Sequence, residues 1–141
     1  MLTLVAILHY KLRNMKAHLY IIRGVPGSGK STRAKQIAKE NKIKYFEADQ
    51  FFEQSGKYEF NPAKLPDAHA WCKQMIEQEL KSGNSVIVSN TFTRKWEYVP
   101  YEIMAVKYGA SSSVEIMSGG FDNVHGVPKK KVEEMIKRFE Y

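Results

Sequence analysis

Gly24-Val25-Pro26-Gly27-Ser28-Gly29-Lys30-Ser31 fills every fixed position of the pattern G-x-x-x-x-G-K-[ST]. Such a loop has meaning only when a strand leads into it and a helix leaves it, because the strand aims the loop and the helix start supplies unpaired N–H groups. Both flanks are present. His18–Arg23 is an apolar run that reads as a buried strand, and Lys30–Asn41 sets Ala34, Ile37 and Ala38 on one helical face. Strand, loop and helix in this order point to a bound nucleoside triphosphate.

The residue types state the chemistry. Glycines at 24, 27 and 29 are expected to take positive φ, bringing the backbone close to phosphate and forming an anion nest at a helix N-terminus. The nucleotide-binding segment is Gly24, Val25, Pro26, Gly27, Ser28, Gly29, Lys30, Ser31 and Thr32. Lys30 carries a mobile charge suited to the β and γ phosphates, and Ser31 is the expected Mg²⁺ ligand. The expected cofactors are ATP and Mg²⁺; the motif does not separate adenine from guanine.

The rest of the composition is that of one soluble domain. The 141 residues are 43% hydrophobic and 26% charged, so disorder is not indicated. The 22 basic residues exceed the 15 acidic ones, which fits an anionic partner beyond the nucleotide. Cys72 is the single cysteine and lies among Trp71, Met75, Ile76 and Leu80, where a buried thiol is expected rather than a nucleophile or metal ligand. Without a disulfide framework, a reducing cytoplasmic setting is expected. Residues 2–8 are apolar but too short to span a bilayer, so no membrane association is expected. Met15 precedes the first strand, and residues 1–14 read as a dispensable extension, with an added edge strand or helix as the alternative. Residues 15–141 then form the single domain.

Downstream, β and α signals alternate. A strand is expected over 42–48, a helix over 67–81, a charge-free central strand over 85–89 and a helical region over 94–108 divided by Pro100. A fourth strand over 112–117, a loop over 118–127 and a helix over 128–140 complete the chain. Alternation of this kind predicts an α/β three-layer fold, with a short, mainly parallel sheet of about four strands flanked by helices. Ligands collect at the C-terminal ends of such strands. The phosphate loop, Asp49, 89–93 and 119–127 all fall there.

Motor-type ATPases carry an acidic pair at the end of a later apolar strand. Here that strand ends in Ser89-Asn90. Small phosphate-loop kinases instead place an Asp after the second strand to take the proton of an acceptor hydroxyl, and Asp49 is placed for that role, or for a turn before Gln50-Phe51-Phe52.

Taken together, the loop, Ala48-Asp49-Gln50-Phe51-Phe52, Val86-Ile87-Val88-Ser89-Asn90-Thr91 and the closing Asn123-Val124-His125-Gly126-Val127-Pro128 with Met135, Arg138 and Phe139 resemble the polynucleotide kinase-like P-loop kinases. The likeness covers nearly everything after Met15. It implies that Lys30 and Ser31 hold phosphate and Mg²⁺ and that Asp49 is the general base toward a 5′-hydroxyl. It also implies that Asn90, Thr91 and Arg94 meet the acceptor, with an amide at Asn90 where the family has a carboxylate. Family members bring a lid arginine to the transferring group. The loop Ser118 to Asn123 has none, leaving His125, Arg94 or Arg138 as substitutes, of which His125 joins Lys30 and Asp49 as a catalytic candidate.

Lys129-Lys130-Lys131 opens the last helix against its dipole, which fits phosphate binding as well as a solvated face. Phe51, Phe52, Tyr58 and Phe60 either stack on a base or pack beneath their loop. The expected activity is transfer of the ATP γ-phosphoryl group to a hydroxyl, foremost a DNA or RNA 5′-end. A nucleoside or small-molecule kinase is the lesser form, and an ATP-binding regulatory module is the alternative. Oligomeric state is not fixed by the sequence.

Overall fold

The computed structural model describes residues 1–8, 16–119 and 126–141. Strand β1 (His18–Arg23), helix α1 (Lys30–Asn41), strand β2 (Lys44–Phe46), helix α2 (Leu65–Lys81), strand β3 (Val86–Asn90), helix α3 (Lys95–Lys107), strand β4 (Ser111–Ile116) and helix α4 (Lys129–Arg138) follow in order. Two 3₁₀ turns, Ala48–Glu53 and Pro62–Lys64, bridge β2 to α2. All strand pairs are parallel in the order β2-β3-β1-β4, as the alternation predicts, so every loop after a strand opens on one edge of the sheet.

Alternation along the strands divides the core by face. Leu19, Ile21, Phe46, Val86 and Val88 pack against Cys72, Ile76 and Leu80 of α2 and Tyr101, Met104 and Ala105 of α3. Ile22 and Ile87 turn to the other face and meet Ala34 and Ile37 of α1. Each fully buried aliphatic side chain of this kind stabilises the fold by about 1.5–3 kcal/mol. Every residue of β3 is buried, in keeping with its charge-free sequence and central place. Among the described residues no helix is long and apolar enough to cross a membrane.

Several boundaries differ from expectation for local reasons. β2 is shorter than 42–48, because Lys42 takes a left-handed conformation (φ 55°) that closes α1 and the chain enters a 3₁₀ turn at Ala48. α2 starts two residues earlier than 67, with Pro66 inside its first turn, where the missing N–H costs nothing. Pro100 does not divide α3. Burial of Tyr98, Tyr101, Met104 and Ala105 holds the helix through it, against a cost of about 3 kcal/mol.

β4 is an exposed edge strand tied to its neighbours by side chains. Arg33 donates from Nε to both carboxylate oxygens of Glu115 at 3.1 Å, and His18 bridges Ser111 and Ser113 with its two ring nitrogens at 2.7 Å each. Burial lowers the His18 pKa below the ordinary histidine value. The unfolded chain therefore holds the proton at a pH where the fold has lost it, so this contribution is complete above the unfolded pKa and is lost as pH falls through the lowered folded one. Wild type should lose more thermal stability between pH 7.5 and 5 than His18→Gln; parallel melting-temperature profiles would count against this assignment.

Arg23, the last residue of β1, is 1% exposed and forms no ion pair among the described residues. Its guanidinium instead donates to the carbonyls of Phe92 (3.0 and 2.8 Å), Thr93 (3.4 Å) and Glu140 (2.5 Å). It lies between the rings of Tyr98 (4.8 Å) and Phe139 (4.4 Å). Phe92 is itself buried at φ 44°, a conformation rare for an aromatic residue, and its carbonyl takes two of the Arg23 donors. One side chain thus joins the base of the phosphate loop, the turn after β3 and the segment after α4. α4 buries none of its own residues, and Glu140 N–H to Thr93 O (2.7 Å) and Arg138 Nε to Thr93 Oγ1 (3.2 Å) complete its anchorage.

Candidate functional site

The phosphate loop leaves β1 at Gly24. Gly27 and Gly29 take positive φ (82° and 94°). Gly24 does not, which corrects the expectation for that position. A Cβ at Gly24 would run into Ser28 Oγ and come within 2.6 Å of Met117 O, so this glycine is required by close packing under the loop. Its N–H donates to Thr91 O (3.2 Å), Ser28 N–H to Val25 O (3.1 Å) and Gly119 N–H to Ser28 O (3.0 Å). Gly29 caps α1 without any side-chain hydrogen bond, and the first turn of α1 has no acidic residue. The first turn of that helix therefore adds no negative charge of its own to its free donors and positive dipole end.

Lys30 begins α1. Burial pushes its pKa below the ordinary lysine value, and the carboxylates of Glu47 and Asp49 pull the other way. Ser31 is half-buried beside it and the Thr32 side chain is exposed. Asp49 sits half-buried in the 3₁₀ turn after β2 and accepts a hydrogen bond from Tyr58 Oη (3.3 Å). Burial, followed by the Asp49 charge, pushes the Tyr58 pKa up to about 12, so the phenol keeps its proton to donate.

Asn90 is buried and engaged within the protein. Its Oδ1 accepts from Ala48 N–H (2.9 Å) and its Nδ2 donates to Cys72 Sγ (3.7 Å), so the amide ties the end of β3 to the turn that carries Asp49. Burial pushes the Cys72 thiol up to about 11, as expected of a structural cysteine. Thr91 is half-buried, and Arg94 is exposed with Nη1 4.0 Å from Glu140 Oε1. Arg94 meets Glu140 of the segment after α4, Arg138 ends α4 and donates to Thr93 Oγ1 in the turn after β3, and His125 lies outside the described residues.

The aromatic residues of the connection from β2 to α2 divide into buried and exposed. Phe52 is buried against Phe51 and Phe60, whereas Tyr58 and Phe60 are exposed with nearly parallel rings (11°, centroids 6.5 Å apart). Lys129, Lys130 and Lys131 are exposed in the first turn of α4. A shallow groove lined by Ile43, Lys44, Tyr45, Phe46, Gln50 and Trp71 follows the outer edge of β2, away from the phosphate loop.

Three buried oxygens lack a hydrogen-bond partner among the described residues: Ser28 Oγ, Glu47 Oε1 and Ser89 Oγ. They belong to the loop and to the C-terminal ends of β2 and β3. Orphaned buried oxygens are costly, and three at the strand ends and loop that face a helix N-terminus fit a site completed by a phosphate group and a cation. Among the described residues no group of three His, Cys, Asp or Glu side chains could hold a metal alone. Glu47 and Arg23 are absent from the sequence-based site. Their sole signal is position: each ends or directly follows a strand whose C-terminus faces the loop.

The chain belongs to the AAA domain family, whose model matches residues 19–118. It is 27% identical over 133 residues to NEDD4-binding protein 2 of Homo sapiens, covering 86% of this chain and 8% of that protein. The fold matches Chaetomium thermophilum Kti12 in complex with ADP-AlF3 (TM-score 0.70, 18% identity, 87% of this chain and 80% of that one). It also matches a chain of the Pnkp1/Rnl/Hen1 RNA repair complex (TM-score 0.67, 19% identity, 89% of this chain and 46% of that one). The architecture is that of the P-loop kinases.

Proposed function

We propose that the protein transfers the γ-phosphoryl group of ATP to a hydroxyl acceptor. One observation carries the reading: Lys30 of the phosphate loop and Asp49 of the next strand end lie on the same edge of the sheet, close enough for the Asp49 charge to act on the Lys30 ammonium. Bound Mg-ATP would supply the transferable group and the cation that offsets its charge. The backbone of Gly24 to Thr32 would bind the phosphates, Lys30 would offset the charge of the β and γ groups, and Ser31 would offer its hydroxyl to Mg²⁺. Asp49 takes the proton of the acceptor hydroxyl, and Tyr58 fixes the carboxylate that does so. Asn90 serves by holding the Asp49 turn against β3, while Thr91 and Arg94 stand where the acceptor enters. Phosphoryl transfer asks mainly for positioning and charge stabilisation, which this set provides.

A nucleic-acid 5′-hydroxyl is the acceptor we favour. The net charge of +7, the exposed Tyr58 and Phe60 rings beside Asp49 and the three lysines opening α4 support it. The chain's match to part of an RNA repair complex agrees with it. A second reading follows from the similarity to 8% of a protein named for binding another: a module that binds ATP and transmits its occupancy without transfer. Incubation with Mg²⁺ and γ-labelled ATP against 5′-hydroxyl DNA and RNA oligonucleotides, with nucleosides alongside, separates these readings. Label on oligonucleotide 5′-ends is expected. Label on nucleosides alone would move the acceptor to small molecules, and ATP binding with no labelled acceptor would favour the module.

A further inference from the structure

Glu47 is buried to 9% exposure at the end of β2, and its Oε1 has no hydrogen-bond partner among the described residues. A buried carboxylate oxygen without a partner is rare and costly unless something else completes it. Position says what that is. Phe46 of β2 is level with Val88 of β3, so Glu47, still extended (φ −131°, ψ 145°), continues the strand to the level of Ser89. Ser89 is in turn level with Ile22 of β1, on the face covered by α1. By the same alternation Glu47 shares that face with Tyr45, which packs in the α1 cluster. Two orphaned oxygens, Glu47 Oε1 and Ser89 Oγ, therefore end neighbouring strands on the face where Lys30 opens α1.

We propose that Glu47, supported by Ser89, is the protein's anionic contact to the divalent cation that accompanies the bound nucleotide. The inference rests on the nucleotide-binding reading above and assigns it a further residue. β3 ends in Ser89-Asn90 with no carboxylate, and the Asn90 amide is occupied by Ala48 and Cys72, so β3 supplies no anion. Asp49 is engaged by Tyr58 on the acceptor side. Glu47 is the remaining carboxylate acting on Lys30, and it forms no ion pair with it within 4 Å. A carboxylate held at such a distance from the lysine, beside a hydroxyl, leaves its free oxygen for a hard cation.

The test measures Mn²⁺ binding by loss of the free-ion electron paramagnetic resonance signal, in the presence of the non-hydrolysable analogue AMPPNP, beside AMPPNP affinity in EDTA. Glu47→Gln keeps the shape and removes the charge. It is expected to weaken Mn²⁺ binding by about 10- to 100-fold while metal-free AMPPNP affinity holds or tightens. Unchanged Mn²⁺ affinity, or equal losses with and without metal, would overturn the assignment, since the carboxylate would then serve Lys30 or the loop. Should Glu47→Gln fail to fold, Ser89→Ala reads the same quantity, with a smaller selective loss of Mn²⁺ expected and no loss counting against the proposal. If wild type binds no AMPPNP under either condition, the nucleotide reading falls and this inference with it. Wild-type binding with an unaffected Glu47→Gln removes the cation role alone.

Discussion

Replacing Lys30 by Ala should lower phosphoryl transfer by about 10³-fold or more, equivalent to about 4 kcal/mol of transition-state stabilisation. The size follows from where the ammonium sits. Lys30 is largely removed from water, so its charge acts through a medium that screens it less than solvent does, and the Glu47 and Asp49 charges offset part of the pull of burial. Nucleotide binding should suffer far less, because the backbone N–H groups of the loop and the start of α1 remain. The expected result is therefore a collapse of kcat with a modest rise in the nucleotide dissociation constant. Comparable losses in both would mean that Lys30 only binds, and substantial residual transfer would remove the loop from the chemistry. Lys30→Arg retains the charge but not the compact ammonium, and should recover little of the rate.

The second large effect is expected at a residue with no part in the chemistry. Arg23→Ala leaves the carbonyls of Phe92 and Glu140 without their buried donors, removes a longer contact to Thr93 O that also accepts from Glu140 N–H, and opens the space between Tyr98 and Phe139. A loss of about 3–5 kcal/mol is expected from unsatisfied acceptors and the cavity together, a large part of a typical domain's stability. Arg23→Lys should recover only a minor share, since an ammonium lacks the flat face that lies over two rings and the paired donors that converge on Phe92 O. Chemical denaturation of the three proteins measures this directly. A variant within 1 kcal/mol of wild type by the same measurement would show that the turn after β3 and the segment after α4 hold together without Arg23.

These two residues mark what the sequence does and does not disclose. The loop from Gly24 to Ser31 is legible because its parts are contiguous and its flanks repeat at strand and helix periods. The β3 run Val86-Ile87-Val88 is legible because only a strand covered on both faces can be free of charge. Arg23 is not legible. At the end of an apolar strand it reads as a solvated charge, and its burial depends on Tyr98, Phe139 and Glu140, which are brought to it by the sheet order. Glu47 is hidden for the same reason, since a carboxylate between Phe46 and Ala48 looks like the outer face of a short strand until β2 pairs with β3. Gly24 was legible as a needed glycine but for another cause, as the clash with Ser28 and Met117 appears only once β4 lies beside β1. Asn90 reads as a residue facing the acceptor, and its amide is bound by a backbone N–H from the neighbouring strand end.

In the proposed reaction Asp49 acts after nucleotide has bound, and Asp49→Asn isolates that step. The measurement is single-turnover transfer from γ-labelled ATP to a 5′-hydroxyl oligonucleotide, with AMPPNP affinity determined on the same protein. Transfer should fall by at least about 10²-fold while AMPPNP affinity stays within a few-fold of wild type, the mark of a lost general base. Transfer at the wild-type rate in Asp49→Asn, with AMPPNP bound as before, would contradict the claim that this carboxylate carries the reaction.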